Sequence, residues 1–330
     1  MKDYYQGIIQ GISETEMTVY ANDKAYTFTL PDPVPAIGQR VLLEYEEGAA
    51  PSILTLEPTD DMARKMYRFD RLATHRMPTA DDMNDEWARI FWEQGYLVVD
   101  QLLNPAELEE AQQAVTDIIH GRIEGPRLQV MKKDEELVTP EQRELAVRKL
   151  YNFIDFAPAL HRVCYHKGIW SMLERIFGEE PKFLGDQAIL KPPSHEAGGE
   201  KPWHQDMAYG VFSQTKMICG VWVSLDHANI DNGCMHIIPG SHRDGAVPHY
   251  ALRDWQICDA SIALDKDVAV PIKPGGALFF AGLLHHGTPP NASNRRRRAL
   301  QFHYGPTSST RMTPQEFKLM FTNEMTNVTC

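Results

Sequence analysis

The sequence predicts an α+β chain whose C-terminal half is mainly β, and three observations lead there. From residue 181 onward, short runs rich in β-branched and aromatic residues recur between Gly, Pro and Asn, the punctuation of an antiparallel sandwich or barrel. Ahead of them, segments between residues 85 and 178 carry apolar residues at helical spacing. The first 58 residues alternate and are rich in Ile, Val, Thr and Tyr, which is a strand signal. Helices followed by a β-rich half describe an α+β chain built on a β core.

Taken in order, residues 7–30 and then VLLEYEEG and SILTLEP read as four or five strands. So many strands in so short a length predict a small barrel-like β module over residues 1–60, with the main domain over 61–330. The module lacks the basic and aromatic combination of a nucleic-acid binder, so a packing or oligomerisation appendage is expected. DEWARIFWEQ reads as an amphipathic helix and GYLVVDQLL as a strand. The following helix opens with Asn104 as N-cap and Pro105 in its first turn. Residues 123–147 are charged and aperiodic, and read as a surface loop or lid. HKGIWSMLERIFG reads as a helix ended by Gly178. KFLGDQAILKPP, MICGVWVSLDHA, CMHIIPGSH, GGALFFAGLLHHGT and RRALQFHYGP then supply the core strands.

The 330 residues are 43% hydrophobic and 24% charged, enough chain to bury a large core. Lys and Arg number 33 against 45 Asp and Glu, a net charge of -12. That balance argues against a nucleic-acid or anionic-membrane partner. One or two local arginines would still suffice for an anionic small substrate. Cys164, Cys219, Cys234, Cys258 and Cys330 are scattered and never spaced as CxxC, so neither a disulfide framework nor a structural zinc site is expected. No stretch approaches the ~20 apolar residues of a membrane span, and the expectation is a cytoplasmic protein. A homo-oligomer stays open.

The sharpest chemical feature is Trp203-His204-Gln205-Asp206. On an extended segment residues i and i+2 share a side, so His204 and Asp206 would converge on one point. A third ligand, His285 or His286, can come from the end of GALFFAGLLHHG. Two histidines and a carboxylate on one face of an octahedron leave three positions open, which suits non-haem Fe(II) enzymes.

WHQD, DNGCMHIIPGSH, PGGALFFAGLLHHGTPPN and RRRRAL, in that order and spacing, resemble the phytanoyl-CoA dioxygenase family of Fe(II)/2-oxoglutarate-dependent oxygenases. The resemblance spans residues 85–305 and is densest over 183–304. It implies a double-stranded β-helix, or cupin-like jelly roll, over about 181–306, flanked by helices. It implies the cofactor Fe(II) and the cosubstrates 2-oxoglutarate and O2, and hydroxylation of an unactivated C–H bond with release of succinate and CO2. The family's HxD falls on His204 and Asp206, and its His-Gly-Ser/Thr triplet makes His286 the distal ligand. His285 is not followed by Gly, and neighbours on a strand point oppositely. Counting on from His286, the family arginine that grips the far carboxylate of 2-oxoglutarate falls on Arg297, with Arg298 as the one-residue rival. A guanidinium fork suits that task because it bonds a carboxylate through two parallel N–H groups.

The same resemblance places Lys149, Gln187, Trp222 and Thr288 in the cosubstrate pocket. The pocket wall for the substrate, a natural product, amino-acid derivative or acyl compound, is expected to include Tyr151, Met207, Tyr209, Phe212, Gln301 and His303. Because two histidines and a carboxylate also bind zinc, a cupin-like isomerase or hydrolase that does not use 2-oxoglutarate is the main alternative. A non-catalytic binding protein on the same scaffold is another. Arg297 and dependence on 2-oxoglutarate discriminate among them.

Overall fold

A computed structural model describes residues 2–324 apart from 22, 23, 33, 36, 38, 39, 47, 48, 57–62, 134, 135, 195–198 and 323. The boundary expected at residue 60 therefore lies outside the described residues. Strands β1 (Lys2–Ile12), β2 (Glu16–Ala21), β3 (Lys24–Thr29), β4 (Arg40–Glu46) and β5 (Ser52–Leu56) form one antiparallel sheet. Its order is β3-β2-β1-β4-β5, so among the described residues it has two edges and is not a closed barrel. Met17, Val19 and Ala21 of β2 are buried with Ile9, Val41 and Leu43, the alternation that a one-faced strand requires.

The chain continues with β6 (Arg76–Thr79), α1 (Asp85–Gln94), β7 (Tyr96–Gln101) and α2 (Pro105–Ile119). Next come β8 (Arg127–Val130), α3 (Pro140–Ala146), β9 (Val147–Tyr151), α4 (Pro158–Cys164) and α5 (Lys167–Phe177). The β-rich half runs through β10 (Pro181–Lys191), β11 (Lys201–His204), β12 (Cys219–Ser224), β13 (Met235–Ile237), β14 (His249–Ala251) and β15 (Trp255–Ile257). It closes with β16 (Val268–Val270), β17 (Ala277–Ala281), β18 (His286–Thr288), β19 (Arg297–Pro306) and the helix α6 (Pro314–Phe321).

Eight strands make the major sheet, β6-β7-β17-β12-β19-β10-β9-β8, and four make the minor sheet, β11-β18-β13-β16. The two face each other as a jelly roll rather than closing into one barrel. All major-sheet pairs are antiparallel except β6 with β7. Strand β19 shows why both faces are covered. Arg297, Gln301 and His303 face the minor sheet, while Leu300, Phe302 and Tyr304 join Val115, Leu160 and Met172 of the helices in the main core. The Tyr304 hydroxyl donates to the Cys164 carbonyl at 2.6 Å, tying β19 to α4.

The helix caps follow the sequence. Asn104 accepts from the backbone of Ala106 and Glu107 and completes a capping box with Glu107, worth about 1 kcal/mol. The expectation of a surface loop over 123–147 is corrected, because that stretch holds β8 and α3. Strand β8 is an edge, with Arg127, Gln129 and Val130 exposed, so it carries too little apolar alternation to be read as a strand. Among the described residues no helix is long and apolar enough to cross a membrane.

Candidate metal centre and cosubstrate pocket

Strands β11 and β18 pair antiparallel with His204 directly opposite His286, so both rings leave the same face of the minor sheet. Their centroids lie 4.1 Å apart. The close pairing depends on Gly287, where a Cβ would stand 2.9 Å from the Tyr67 hydroxyl and 3.1 Å from the Lys201 carbonyl. Gln205 stays extended (φ -117°, ψ 132°), and Asp206 begins a single 3-10 turn. Asp206 therefore keeps the side of His204. Its Oδ1 is 3.5 Å from His204 Nε2 and 3.4 Å from His286 Nε2. Among the described residues, these three form the one group of His, Cys, Asp or Glu side chains whose ligand atoms lie within 4.8 Å of one another.

Every other polar atom of the trio is already engaged. His204 Nδ1 donates to the Pro202 carbonyl at 2.7 Å and His286 Nδ1 to the Leu284 carbonyl at 2.9 Å. These bonds put the ring proton on Nδ1 and leave each Nε2 as a lone pair, the tautomer a metal ligand needs. Asp206 Oδ2 accepts from Gln301 at 2.9 Å and from His303 at 2.8 Å. His286 Nε2 is buried without a hydrogen-bond partner. That orphaned nitrogen, beside a second lone pair and a carboxylate oxygen, fits a divalent cation. Burial and the neighbouring His286 push His204 down to about 3, so its imidazole is neutral. The Asp206 carboxyl is held well below its ordinary range, burial acting to raise it and His286 and His303 close by acting to lower it.

His285 takes no part. Its backbone N–H donates to Ser241 Oγ at 2.8 Å, and its side chain is absent from the wall of the cavity that His204, Asp206 and His286 line. That cavity, of about 500 Å³, opens between the two sheets. Arg297 lies at one end, fully buried and opposite Lys191 in register. Its guanidinium stacks on Trp222, 5.0 Å from the ring centre. Nη1 donates to the Gly233 carbonyl at 3.0 Å, and Nε has no partner. Burial, with Arg148 close by, pushes the group down to about 9. A buried guanidinium with free N–H groups and no carboxylate is a receptor for one. Arg298 points to the opposite face, where Nε and Nη2 grip Asp226 at 2.9 and 2.8 Å.

Lys149, Gln187, Trp222 and Thr288 also line the cavity, as do Tyr151, Tyr209, Phe212 and Gln301. Met207 does not; it is buried with Ala208, Ile218, Leu283 and Phe321, because the 3-10 turn after Asp206 swings it behind the site. His303 is also off the wall, stacked on Phe212 at 3.8 Å while it holds Asp206.

Several residues escaped the sequence reading. Lys191 is fully buried, and its ammonium donates to Thr288 Oγ1 at 2.7 Å and to the carbonyls of Thr288 and Pro289. With Oγ1 accepting, the Thr288 hydroxyl keeps its own proton to donate. Alternation with Gln187 and Ile189 along β10 was the signal for Lys191. Arg127, Arg148 and Lys201 line the cavity too. A register shift between Gln129 and Val130 lets both Arg148 and Lys149 reach it, as a bulge can. No periodicity shows such a shift in advance.

A family model described as phytanoyl-CoA dioxygenase (PhyH) matches residues 91–299. A probable phytanoyl-CoA dioxygenase of Caenorhabditis elegans is 27% identical over 235 residues, covering 67% of this chain and 75% of that one. Phytanoyl-CoA dioxygenase domain-containing protein 1 of Danio rerio is 27% identical over 292 residues, covering 74% of this chain and 97% of that one. Among solved structures, EvdO2 from Micromonospora carbonacea var. aurantiaca, complexed with 2-oxoglutarate, superposes with a TM-score of 0.58. It is 20% identical over 73% of this chain and 99% of that one, a likeness of fold.

Proposed function

Because the chain belongs to the phytanoyl-CoA dioxygenase family, we propose that it is an Fe(II)- and 2-oxoglutarate-dependent oxygenase that hydroxylates a small molecule. His204, Asp206 and His286 would hold the iron, and Arg297 the far carboxylate of 2-oxoglutarate. With Fe(II), 2-oxoglutarate and O2 bound, the centre supplies the power to oxidise an unactivated C–H bond, releasing succinate and CO2.

The protein's own part is to bind, orient and exclude water. The single observation that carries the reading is the convergence of His204 Nε2, His286 Nε2 and Asp206 Oδ1 while every other polar atom of the three side chains is hydrogen-bonded elsewhere. The Nδ1 bonds keep both rings in the ligating tautomer, and His303 and Gln301 keep Asp206 from rotating. At the far end, the free Arg297 Nε and the Thr288 hydroxyl offer donors to one carboxylate. Trp222 fixes the plane of the guanidinium from below. Ile189, Met235 and Trp222 dry this end of the cavity, which strengthens every charge interaction there.

The test is succinate formation with the purified full-length chain. Release that needs both Fe(II) and 2-oxoglutarate and is lost in His286→Ala supports the reading. Tight zinc or manganese binding without any use of 2-oxoglutarate would replace it with the cupin-like alternative.

A further inference from the structure

The cavity wall carries more positive charge than iron and 2-oxoglutarate account for. Five cations line it, Arg127, Arg148, Lys149, Lys201 and Arg297, against two carboxylates, Asp186 and Asp206. Asp186 is occupied by three backbone N–H groups, those of Asn152, Phe153 and Ile154. Lys201 is paired with Asp254 at 2.5 Å. In the proposed function the charges of Fe(II), Asp206, 2-oxoglutarate and Arg297 sum to zero. Lys149 beside the cosubstrate, Arg148 and Arg127 then remain uncompensated.

Arg127 stands apart from the others. Its guanidinium lies 4.6 Å from the Tyr151 ring centre, and the Tyr151 hydroxyl beside it donates to Gln129 Oε1 across a long 3.5 Å. It has no carboxylate partner among the described residues, and its side chain is exposed at the cavity rim. One row of the major sheet joins it to the metal centre. Arg127 is opposite Tyr151, Tyr151 opposite Gln187, and Gln187 opposite Gln301, and Gln301 bonds Asp206. Directly opposed residues share a face, so the row forms a continuous floor. Three strand spacings place Arg127 roughly 14 Å from Gln301. Leu184, Val211 and Phe212 give the cavity apolar wall.

We infer that the substrate is an elongated anion whose carboxylate or phosphate is held at the rim by Arg127 and the Tyr151 hydroxyl, with an apolar body leading to the metal centre. This rests on the function proposed above. It makes Arg127 a specificity-determining residue and places the oxidised carbon remote from the charged group.

The test uses the full-length chain, kept anaerobic and saturated with Mn(II) and 2-oxoglutarate. Hexanoate, octanoate and decanoate, the matching alkyl phosphates and the matching neutral amides are titrated calorimetrically. The acids or the phosphates should bind about tenfold or more tightly than the amides, as charge-assisted bonds to a guanidinium imply. Whichever series binds better identifies the anion. Arg127→Gln should erase that preference and Arg127→Lys retain part of it, with 2-oxoglutarate affinity unchanged in both. Equal binding of charged and neutral probes, or none, with 2-oxoglutarate still bound, would overturn the anion assignment alone. Failure of 2-oxoglutarate itself to bind would overturn the function on which it rests.

Discussion

His303 donates from Nε2 to Asp206 Oδ2 at 2.8 Å while its ring stacks on Phe212 at 3.8 Å. The imidazole is fully buried, so the carboxylate is held by a side chain that has no freedom of its own. Such a partner would fix which oxygen of Asp206 is offered to a metal. His303→Phe keeps the stack and leaves Oδ2 to Gln301 alone. Metal affinity should fall roughly 10–100-fold, the usual effect of losing a partner behind a ligand. A Mn(II) titration followed by electron spin resonance measures it, and unchanged affinity would remove His303 from the site.

Arg297 differs from Arg298 in having no acid to bond among the described residues. Arg297→Gln should raise the KM for 2-oxoglutarate by about 100-fold, the scale of a lost charge-assisted pair, and leave Mn(II) binding intact. Arg298→Gln breaks the Asp226 fork and a 3.4 Å bond to Thr116, both away from the cavity, and should change stability rather than KM. Steady-state succinate release against 2-oxoglutarate concentration separates the two.

Gly287 lets β18 lie close to β11. Gly287→Ala would place a methyl 2.9 Å from the Tyr67 hydroxyl and 3.2 Å from the Trp203 backbone nitrogen. The buried Tyr67 ring or the facing β11 backbone must give by a few tenths of an ångström, which disturbs the seat of His286. A cost of about 1–3 kcal/mol is expected, together with weaker metal binding. Urea unfolding reads the first effect and Mn(II) titration the second.

Burial, reinforced by Lys201 and Arg148, pushes Lys149 from its ordinary 10.5 down to about 8. Between those values the unfolded chain holds the proton more often than the folded one, so this group makes stability rise with pH. In ligand-free protein the melting temperature of wild type relative to Lys149→Met should therefore climb from pH 8 to pH 10. A flat difference would mean that the Lys149 ammonium is solvated.

How far the sequence was legible follows from the reach of its patterns. His204 and Asp206 could be paired because side-chain alternation holds across two residues of extended chain. A third ligand could be sought at the His285–His286 pair, but choosing His286 rested on the family resemblance, because nothing local links residues 204 and 286. The inward face of Arg297 was readable from its alternation with Ala299, Gln301 and His303. Lys191 belonged to a similarly alternating strand yet was passed over, since a lone lysine before Pro-Pro reads as a strand end at the surface. Arg127 and β8 were hidden because an edge strand with exposed Arg, Gln and Val lacks the apolar signal of a core strand. Met207 stood with Tyr209 and Phe212 only as part of the stretch after the His-Gln-Asp arm, where a 3-10 turn instead packs it against Ile218 and Leu283.

The most direct test of the central claim is anaerobic addition of Fe(II) and 2-oxoglutarate to metal-free protein, watched by visible absorption. The weak charge-transfer band of 2-oxoglutarate bound to Fe(II) should appear with wild type, persist in His285→Ala and vanish in His286→Ala. Absence of the band in wild type, or its loss in His285→Ala with survival in His286→Ala, would contradict the account.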